Sequence, residues 1–127
     1  TLFPFMSEIE LAYAAADIVI ARAGALTLAE IEQAGLPSIL VPYPFAVGDH
    51  QRKNAASFAS GGAAIIFEDK QLAQVNLLGE AAELFSSGKA SQMVAAVQAL
   101  RNRRNRPAVD IIADEILELI NIKRSAS

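Results

Sequence analysis

One stretch of the sequence places backbone and side-chain groups where they could bind an anion. Residues 20–37 read IARAGALTLAEIEQAGLP and run from an apolar strand through a glycine turn into a helix. The free N–H groups and the dipole at a helix start attract phosphate, and Gly24 would let an anion approach the backbone without a Cβ in the way. The same spacing fits a capping box, with Thr27 as N-cap and Glu30 three residues later. The residues alone leave both interpretations open.

Glu30 is the residue of this stretch whose charge is hardest to combine with a phosphate. A carboxylate and a phosphate repel each other, so beside a phosphate Glu30 would need a different partner. Its two oxygens could accept hydrogen bonds from the two hydroxyls of a ribose. A nucleotide is therefore a candidate ligand, beside the simpler interpretation of Glu30 as a helix cap.

A second polar group, Asp49, His50 and Gln51, opens the helix that follows the second predicted strand. His50 is the only histidine, and histidine is the side chain best suited to proton transfer near neutral pH. The alternative is an exposed helix start with Asp49 as N-cap. With one histidine and no cysteine, neither a Ser/His/Asp nor a Cys/His catalytic set is plausible.

Two charged groups near the end of the sequence are interpreted as structural. The run RNRRNR, residues 101–106, could meet phosphate or an anionic membrane, but arginines commonly end a helix, where cations favour its dipole. The acidic residues of the last predicted helix are interpreted as a solvated face without metal-ligand geometry. They are Asp110, Asp114, Glu115 and Glu118.

Strands and helices alternate along the first half of the chain. Apolar runs at 17–21, 38–43 and 63–67 predict strands buried on both faces. Helices are predicted at 8–16, 27–34, 50–59, 76–86, 90–103 and 108–122, the first with a capping box of Ser7 and Glu10. Residues 2–5 are expected to be a strand end broken by Pro4. This order predicts an α/β fold with right-handed βαβ units and a parallel sheet covered by helices on both faces.

The carboxyl edge of such a sheet is where ligands bind. The loops at 22–26 and 42–51 follow predicted strands and carry the polar residues described above, so we expect them to meet at that edge. Three strands make a narrow parallel sheet. We therefore expect the chain to be part of a larger domain whose earlier strands precede it.

The composition excludes several classes of protein. The length of 127 residues fits one domain, and 53% hydrophobic residues can bury a core. The net charge of −3 gives no indication of a nucleic-acid partner. The absence of cysteine excludes a disulfide framework and suits a reducing compartment. No apolar run approaches the ~20 residues that span a bilayer, and the first residues do not read as a signal peptide.

Residues 12–55, AYAAADIVIARAGALTLAEIEQAGLPSILVPYPFAVGDHQRKNA, strongly resemble the donor-binding half of the MurG family. A looser similarity continues to the last predicted helix. Members of this family are two-domain, inverting GT-B glycosyltransferases that transfer N-acetylglucosamine (GlcNAc) from UDP-GlcNAc to lipid I and so form lipid II for peptidoglycan. The resemblance implies that the chain is the later part of the Rossmann-like C-terminal domain, without the N-terminal acceptor domain.

The resemblance also implies a set of donor-binding residues: Phe5, Met6, Ala25, Leu26, Thr27, Glu30, His50 and Gln51. The first two match a strand-end pair, of which the first lies against the nucleotide and the second binds uracil through its backbone. The next three match the turn whose N–H groups and threonine meet the phosphates. Glu30 matches the ribose ligand, and the pair at 50–51 matches the residues that hydrogen-bond the GlcNAc hydroxyls.

Two positions depart from the family pattern. Gly48 stands where an acidic residue is common, so any role of that carboxylate is missing in this chain. His50 stands where some members have glutamine, which cannot act as a general base. Because histidine and glutamine can both donate and accept hydrogen bonds, the resemblance favours His50 as a sugar ligand. Asn54 and Ala55 complete the motif and are expected to pack.

The resemblance extends to partners and location. The acceptor, lipid I, and the proposed catalytic base would belong to the N-terminal domain, so no catalytic residue, metal or cofactor is expected in this chain. The parent protein would lie peripherally on the cytoplasmic face of the bacterial inner membrane. The isolated chain is expected to be inactive. Its last helix has Val109, Ile112, Ile116, Leu119 and Ile120 on one side. We expect this apolar face and the open sheet edge to be exposed in the isolated chain and to favour self-association.

Three alternatives remain open from the sequence. The chain could belong to another GT-B enzyme with a different sugar or acceptor. It could belong to a UDP-GlcNAc epimerase, which would need no lipid groove. It could also be a non-catalytic subunit that supplies half of a Rossmann-like fold to a partner.

Overall fold

The structure, a computed structural model, describes residues 4–105 and 108–126, with side chains in the last helix described at 110 and 112–121. The helices are α1 (Ile9–Ala15), α2 (Ala25–Ala34), α3 (His50–Ser60), α4 (Leu77–Ser86), α5 (Lys89–Arg104) and α6 (Ala108–Ala126). The strands are β1 (Val19–Ala21), β2 (Ser38–Leu40) and β3 (Ala64–Ile66). Two short 3-10 helices, Val47–Asp49 and Asp69–Gln71, lie in the loops after β2 and β3. Of the predicted strand end at 2–5, residues 2 and 3 lie outside the described residues.

The strands form a parallel sheet in the order β1-β2-β3, in which Ile39 lies opposite Ile20 on one side and Ile65 on the other. Helix α2 connects β1 to β2, and helix α3 connects β2 to β3. Hydrogen bonding continues beyond the strand ends, where Val41 N–H donates to Ala21 O at 2.9 Å. The predicted α/β fold with a parallel sheet is confirmed.

The sheet separates two groups of buried side chains because successive strand residues point to opposite faces. Leu40 packs on one face with residues of α2, α3 and α5, including Ile31, Phe58 and Val97. Its neighbour Ile39 packs on the other face with a cluster from α4 and α5. Both residues are completely buried. Helices therefore cover both faces of β2, whose three residues are all buried. The prediction of burial on both faces is wrong for β1, which lies at the edge of the sheet and leaves Ile20 36% exposed.

The capping box predicted for α1 is wrong, and the capping box considered as one interpretation of Thr27 and Glu30 does not form. Helix α1 has Glu8, not Ser7, at its N-cap, without a side-chain capping bond. Helix α2 begins at Ala25, two residues earlier than predicted, because extended Gly24 already accepts the first helical hydrogen bond from Leu28 N–H at 3.0 Å. Thr27 therefore has helical backbone within the first turn and cannot be an N-cap. The predicted end of α2 is confirmed by Gly35, whose φ of 72° is left-handed.

The arginine run ends α5, as the structural interpretation predicted. Arg101 donates from Nη1 to the carbonyl oxygen of Gln33 at 3.2 Å. Arg104 Nη1 lies 3.0 Å from Oε2 of buried Glu32, an ion pair. These contacts hold the end of α5 against the last turn of α2. Arg106 lies outside the described residues.

Helix α6 presents its described side chains to solvent. Large apolar residues among them are 41–61% exposed: Ile112, Ile116, Leu117, Leu119 and Ile120. The acidic residues at 110, 114, 115 and 118 are exposed as well. Val109, predicted to belong to the same apolar face, lies outside the described side chains.

Candidate functional site

The turn between β1 and α2 lies at the carboxyl edge of the sheet. Because α2 begins at Ala25, the N–H groups of Ala25, Leu26 and Thr27 have no partner within the helix. Leu26 is 74% exposed although it is apolar. A Cβ on Gly24 would meet, among the described residues, only Thr27 Oγ1 at 3.9 Å. Within the described part of the chain, the space beside Gly24 is thus open, and N–H groups without helical partners can bind an anion.

Gln51 connects the two loops at this edge. Its Oε1 atom accepts hydrogen bonds from the backbone N–H of Ala23, at 3.2 Å, and of Tyr43, at 2.9 Å. Ala23 lies in the turn between β1 and α2, and Tyr43 lies in the loop after β2. The side chain predicted to bind sugar is thus also a bridge between the loops, and its amide nitrogen is the group left to meet a ligand.

Asn54 completes the attachment of α3 to the turn. Its Nδ2 atom donates to the carbonyl oxygen of Ala23 at 3.4 Å. Ala23 is completely buried. Its N–H bonds to Gln51 and its carbonyl oxygen bonds to Asn54, and these two side chains lie one helical turn apart on α3. The next residue, Ala55, is also completely buried, as the packing prediction required.

His50 is exposed at the start of α3. The preceding Gly48 has a φ of 63°, and a Cβ there would lie 3.0 Å from His50 Nε2. Asp49 precedes α3 as predicted, but it makes no side-chain capping bond. Its φ of 57° is left-handed rather than extended, and its carboxylate lies 3.7 Å from Arg52 Nε. Asp49 thus holds the N-cap position that one of the two interpretations gave it, but it does not cap the helix with its side chain.

Glu30 forms a hydrogen bond that the sequence did not predict. The phenol oxygen of Tyr13, on α1, donates to Glu30 Oε2 at 3.0 Å. Both residues line a cavity of ≈ 490 Å³ between α1 and α2. Burial raises the pKa of Tyr13 above its ordinary value, and the hydrogen bond to Glu30 and the charge of Glu30 raise it further. The phenol is the donor in this pair, because an ionised carboxylate can only accept hydrogen bonds.

Phe5 and Met6 lie just before α1. Phe5 is 83% exposed, and both residues line a cavity of ≈ 440 Å³ together with Leu11 of α1. Helix α1 connects this pair in sequence to Tyr13, which contacts Glu30.

Arg22 is a residue at this edge that the sequence analysis did not select. Its Nη1 atom lies 2.5 Å from Asp69 Oδ1, and it donates to the carbonyl oxygens of Val41 and Pro42 at 3.4 Å. It thereby connects the ends of all three strands. The signal in the sequence was a cation directly after a buried strand.

Among residues 4–105 and 108–126 we find neither a group of three or more His, Cys, Asp or Glu residues that could hold a metal ion nor a helix with the length and apolarity needed to cross a membrane.

Comparison with known proteins relates this chain to glycosyltransferases. Residues 1–109 match the family model described as glycosyltransferase family 28 C-terminal domain. Over 88 residues the chain is 48% identical to a protein of Halothermothrix orenii named UDP-N-acetylglucosamine–N-acetylmuramyl-(pentapeptide) pyrophosphoryl-undecaprenol N-acetylglucosamine transferase. A protein of Desulforudis audaxviator with the same name is 44% identical over 116 residues.

A solved structure agrees with these relatives. The crystal structure of Acinetobacter baumannii MurG matches with a TM-score of 0.65 and 31% identity, over 93% of this chain and 33% of that protein. The alignments with the two relatives cover 69% and 91% of this chain but 24% and 31% of the relatives. The chain thus spans between a quarter and a third of the length of the proteins it matches.

Proposed function

The chain belongs to the glycosyltransferase family 28 C-terminal domain family, and from this we propose that it is the UDP-GlcNAc-binding part of a hexosyltransferase that transfers GlcNAc to lipid I in peptidoglycan synthesis. The observation that carries the proposal is the open helix start after β1. Gln51 joins the turn before this helix to the loop after β2, and Asn54 holds the same turn against α3. An exposed helix start of this kind, at the carboxyl edge of a parallel sheet, suits a nucleoside diphosphate.

The diphosphate is assigned to the start of α2. The N–H groups of Ala25, Leu26 and Thr27 lack helical partners, and the helix dipole adds a partial positive charge there. The Thr27 hydroxyl can donate a further hydrogen bond. Gly24 supports this assignment because its negative φ and open surroundings do not themselves demand glycine. A Cβ at position 24 would instead crowd a phosphate bound at this turn, which explains the glycine.

The ribose and the sugar are assigned to side chains on α2 and α3. The Glu30 carboxylate accepts the ribose hydroxyls, one helical turn beyond Thr27. His50 and the amide nitrogen of Gln51 hydrogen-bond the GlcNAc hydroxyls. Exposed Phe5 lies against the nucleotide, and the backbone of Met6 binds uracil. This gives each part of UDP-GlcNAc a partner among the described residues.

The proposed reaction transfers the glycosyl group with inversion. The 4-hydroxyl of the acceptor N-acetylmuramyl group attacks C1 of GlcNAc, its proton passes to a base, and the bond from C1 to the diphosphate oxygen breaks with its electron pair on UDP. The start of α2 stabilises the leaving group because its N–H groups point to the oxygens on which charge grows. This chain supplies donor binding, and we assign the acceptor site and the base to an N-terminal domain of the complete protein.

The acceptor determines the proposed location. Lipid I is membrane-anchored, so the complete protein would associate peripherally with the cytoplasmic face of the inner membrane. The exposed apolar residues of α6 include Ile112, Ile116 and Leu119, which lie on one helix face. In the isolated chain this face favours self-association, because contiguous exposed apolar surface is a common site of protein contact.

Transfer of labelled GlcNAc from UDP-GlcNAc to lipid I tests the proposal. We expect the complete gene product to form lipid II and the isolated 127-residue chain to form none. Turnover by the isolated chain, or turnover with a different acceptor only, would contradict it.

A further inference from the structure

The hydrogen bond between Tyr13 and Glu30 joins two helices at the proposed ribose site. The two residues are 17 positions apart in sequence, and the distance from the Tyr13 phenol oxygen to Glu30 Oε2 is 3.0 Å. Tyr13 also packs against the core cluster that contains Leu28 and Ile31 of α2. Packing of the ring against this cluster therefore helps to fix the position of the phenol oxygen that contacts Glu30.

This contact leaves most of the acceptor capacity of Glu30 available. An ionised carboxylate has two oxygens with about four lone-pair positions, and Tyr13 occupies one of them at Oε2. Oε1 and the remaining lone pair of Oε2 can still accept hydrogen bonds from two hydroxyls. The phenol and a ribose thus need not compete for the same position.

Fixing one oxygen also lowers the cost of binding. A free glutamate side chain loses rotamer freedom when it binds a ligand, and this loss weakens binding. Tyrosine is a rigid anchor with two side-chain torsions, and the Tyr13 phenol donates to Glu30 Oε2 at 3.0 Å. A carboxylate already held by such a donor loses less freedom when a diol arrives.

We propose that Tyr13 is a positioning residue that orients Glu30 toward the ribose diol and so contributes to the preference of the site for ribonucleotides. This rests on the proposed function, because it assumes that Glu30 is the ribose ligand. Tyr13 itself does not touch the nucleotide; it acts through the carboxylate.

Binding of two nucleotides to the complete gene product tests this role. The probes are UDP and 2′,3′-dideoxyuridine 5′-diphosphate, which lacks both ribose hydroxyls. The readout is the affinity for UDP divided by the affinity for the dideoxy compound, each measured by calorimetry. Tyr13→Phe keeps the ring and its packing but removes the donor. We expect it to lower the ratio about threefold to tenfold, the effect of one hydrogen bond, with the affinity for the dideoxy compound unchanged.

Glu30→Ala and the double variant separate the possible outcomes. If Glu30 is the ribose ligand, Glu30→Ala lowers the ratio, and adding Tyr13→Phe to it has no further effect. A ratio unchanged by Glu30→Ala would overturn the ribose assignment itself. A ratio lowered by Glu30→Ala but not by Tyr13→Phe would overturn only the role of Tyr13. Equal weakening of both probes by Tyr13→Phe would indicate a purely structural residue, and tighter UDP binding would indicate a competitor; each contradicts the proposal.

Discussion

The side-chain oxygen of Gln51 lies 3.2 Å from the backbone nitrogen of Ala23 and accepts its hydrogen bond. Ala23 is completely buried, so this N–H has no access to bulk water. The same oxygen accepts from Tyr43 N–H, and the turn before α2 and the loop after β2 are therefore fixed to α3 at one atom. The proposed phosphate-binding turn depends on a side chain outside it.

The first prediction separates the two functions of Gln51. Gln51→Met leaves the buried Ala23 N–H without a partner, so we expect the free energy of unfolding to fall by about 1–3 kcal/mol. Gln51→Glu keeps the acceptor oxygen and should lose less stability, while its charge and lost amide should still weaken UDP-GlcNAc binding. Chemical denaturation and calorimetry measure the two effects. Equal stability of the Met variant and the unchanged protein would contradict the bridge.

A second prediction concerns His50. Since we assign it to hydrogen bonding rather than proton transfer, His50→Gln should keep kcat within about threefold, because glutamine can donate and accept as well. His50→Ala, the matched truncation, should raise KM for UDP-GlcNAc by a few-fold to tenfold. Steady-state kinetics with lipid I measures both. A loss of several orders of magnitude in kcat for His50→Gln, at unchanged KM, would make His50 a catalytic base.

The Tyr13 contact predicts a pH dependence of stability. Burial, and then Glu30, raises the pKa of Tyr13 above 10.0, so the folded protein holds the phenol proton more tightly than the unfolded chain does. The resulting stabilisation is fully present below the unfolded pKa, about 10, and is lost as pH rises through the folded pKa. The charged groups that line the same cavity are Glu30 and Glu10.

Unfolding of the unchanged protein and of Tyr13→Phe between pH 8 and pH 11 measures this effect. We expect the difference in their free energies of unfolding to be constant at the lower pH values. Toward pH 11 the unchanged protein should lose stability relative to Tyr13→Phe. Because other titrating groups are common to both proteins, their contributions cancel. Parallel curves up to pH 11 would contradict a raised pKa of the Tyr13 phenol in the folded protein.

The apolar face of α6 gives a prediction about the isolated chain. Light scattering should show association that grows with concentration, and Ile116→Lys should reduce it because a charge is placed on the exposed apolar face. Leu78→Lys is the matched control, since Leu78 is 77% exposed on α4 and should leave association unchanged. An unchanged chain that stays monomeric at high concentration would contradict self-association.

The sequence predicted the parts of the fold that depend on local patterns. The unbroken apolar runs located all three described strands, and Gly35 marked the end of α2 because a left-handed position there favours glycine. The start of α2 was misplaced because the extended conformation of Gly24 does not follow from its residue type. The spacing of Thr27 and Glu30 matched a capping box that the backbone does not form.

Contacts between distant segments could not be predicted from spacing. Tyr13 and Glu30 are separated by 17 positions and Arg22 and Asp69 by 47, and these pairs depend on how helices and strand ends pack. Gln51 was selected through the family resemblance as a sugar ligand, yet its bridge to Ala23 required the positions of both loops. The resemblance selected candidate residues for the site, whereas the structure shows what those residues hold in place.

The central claim is that this chain binds UDP-GlcNAc with Glu30 on the ribose, and titration calorimetry of the complete gene product tests it most directly. We predict measurable binding that Glu30→Ala weakens by about 1.5–3 kcal/mol, the range for a hydrogen bond to a charged group. Glu83→Ala, which removes an exposed carboxylate from α4, should leave the affinity unchanged. Equal affinity of Glu30→Ala and the unchanged protein, or no binding of UDP-GlcNAc at all, would contradict the claim.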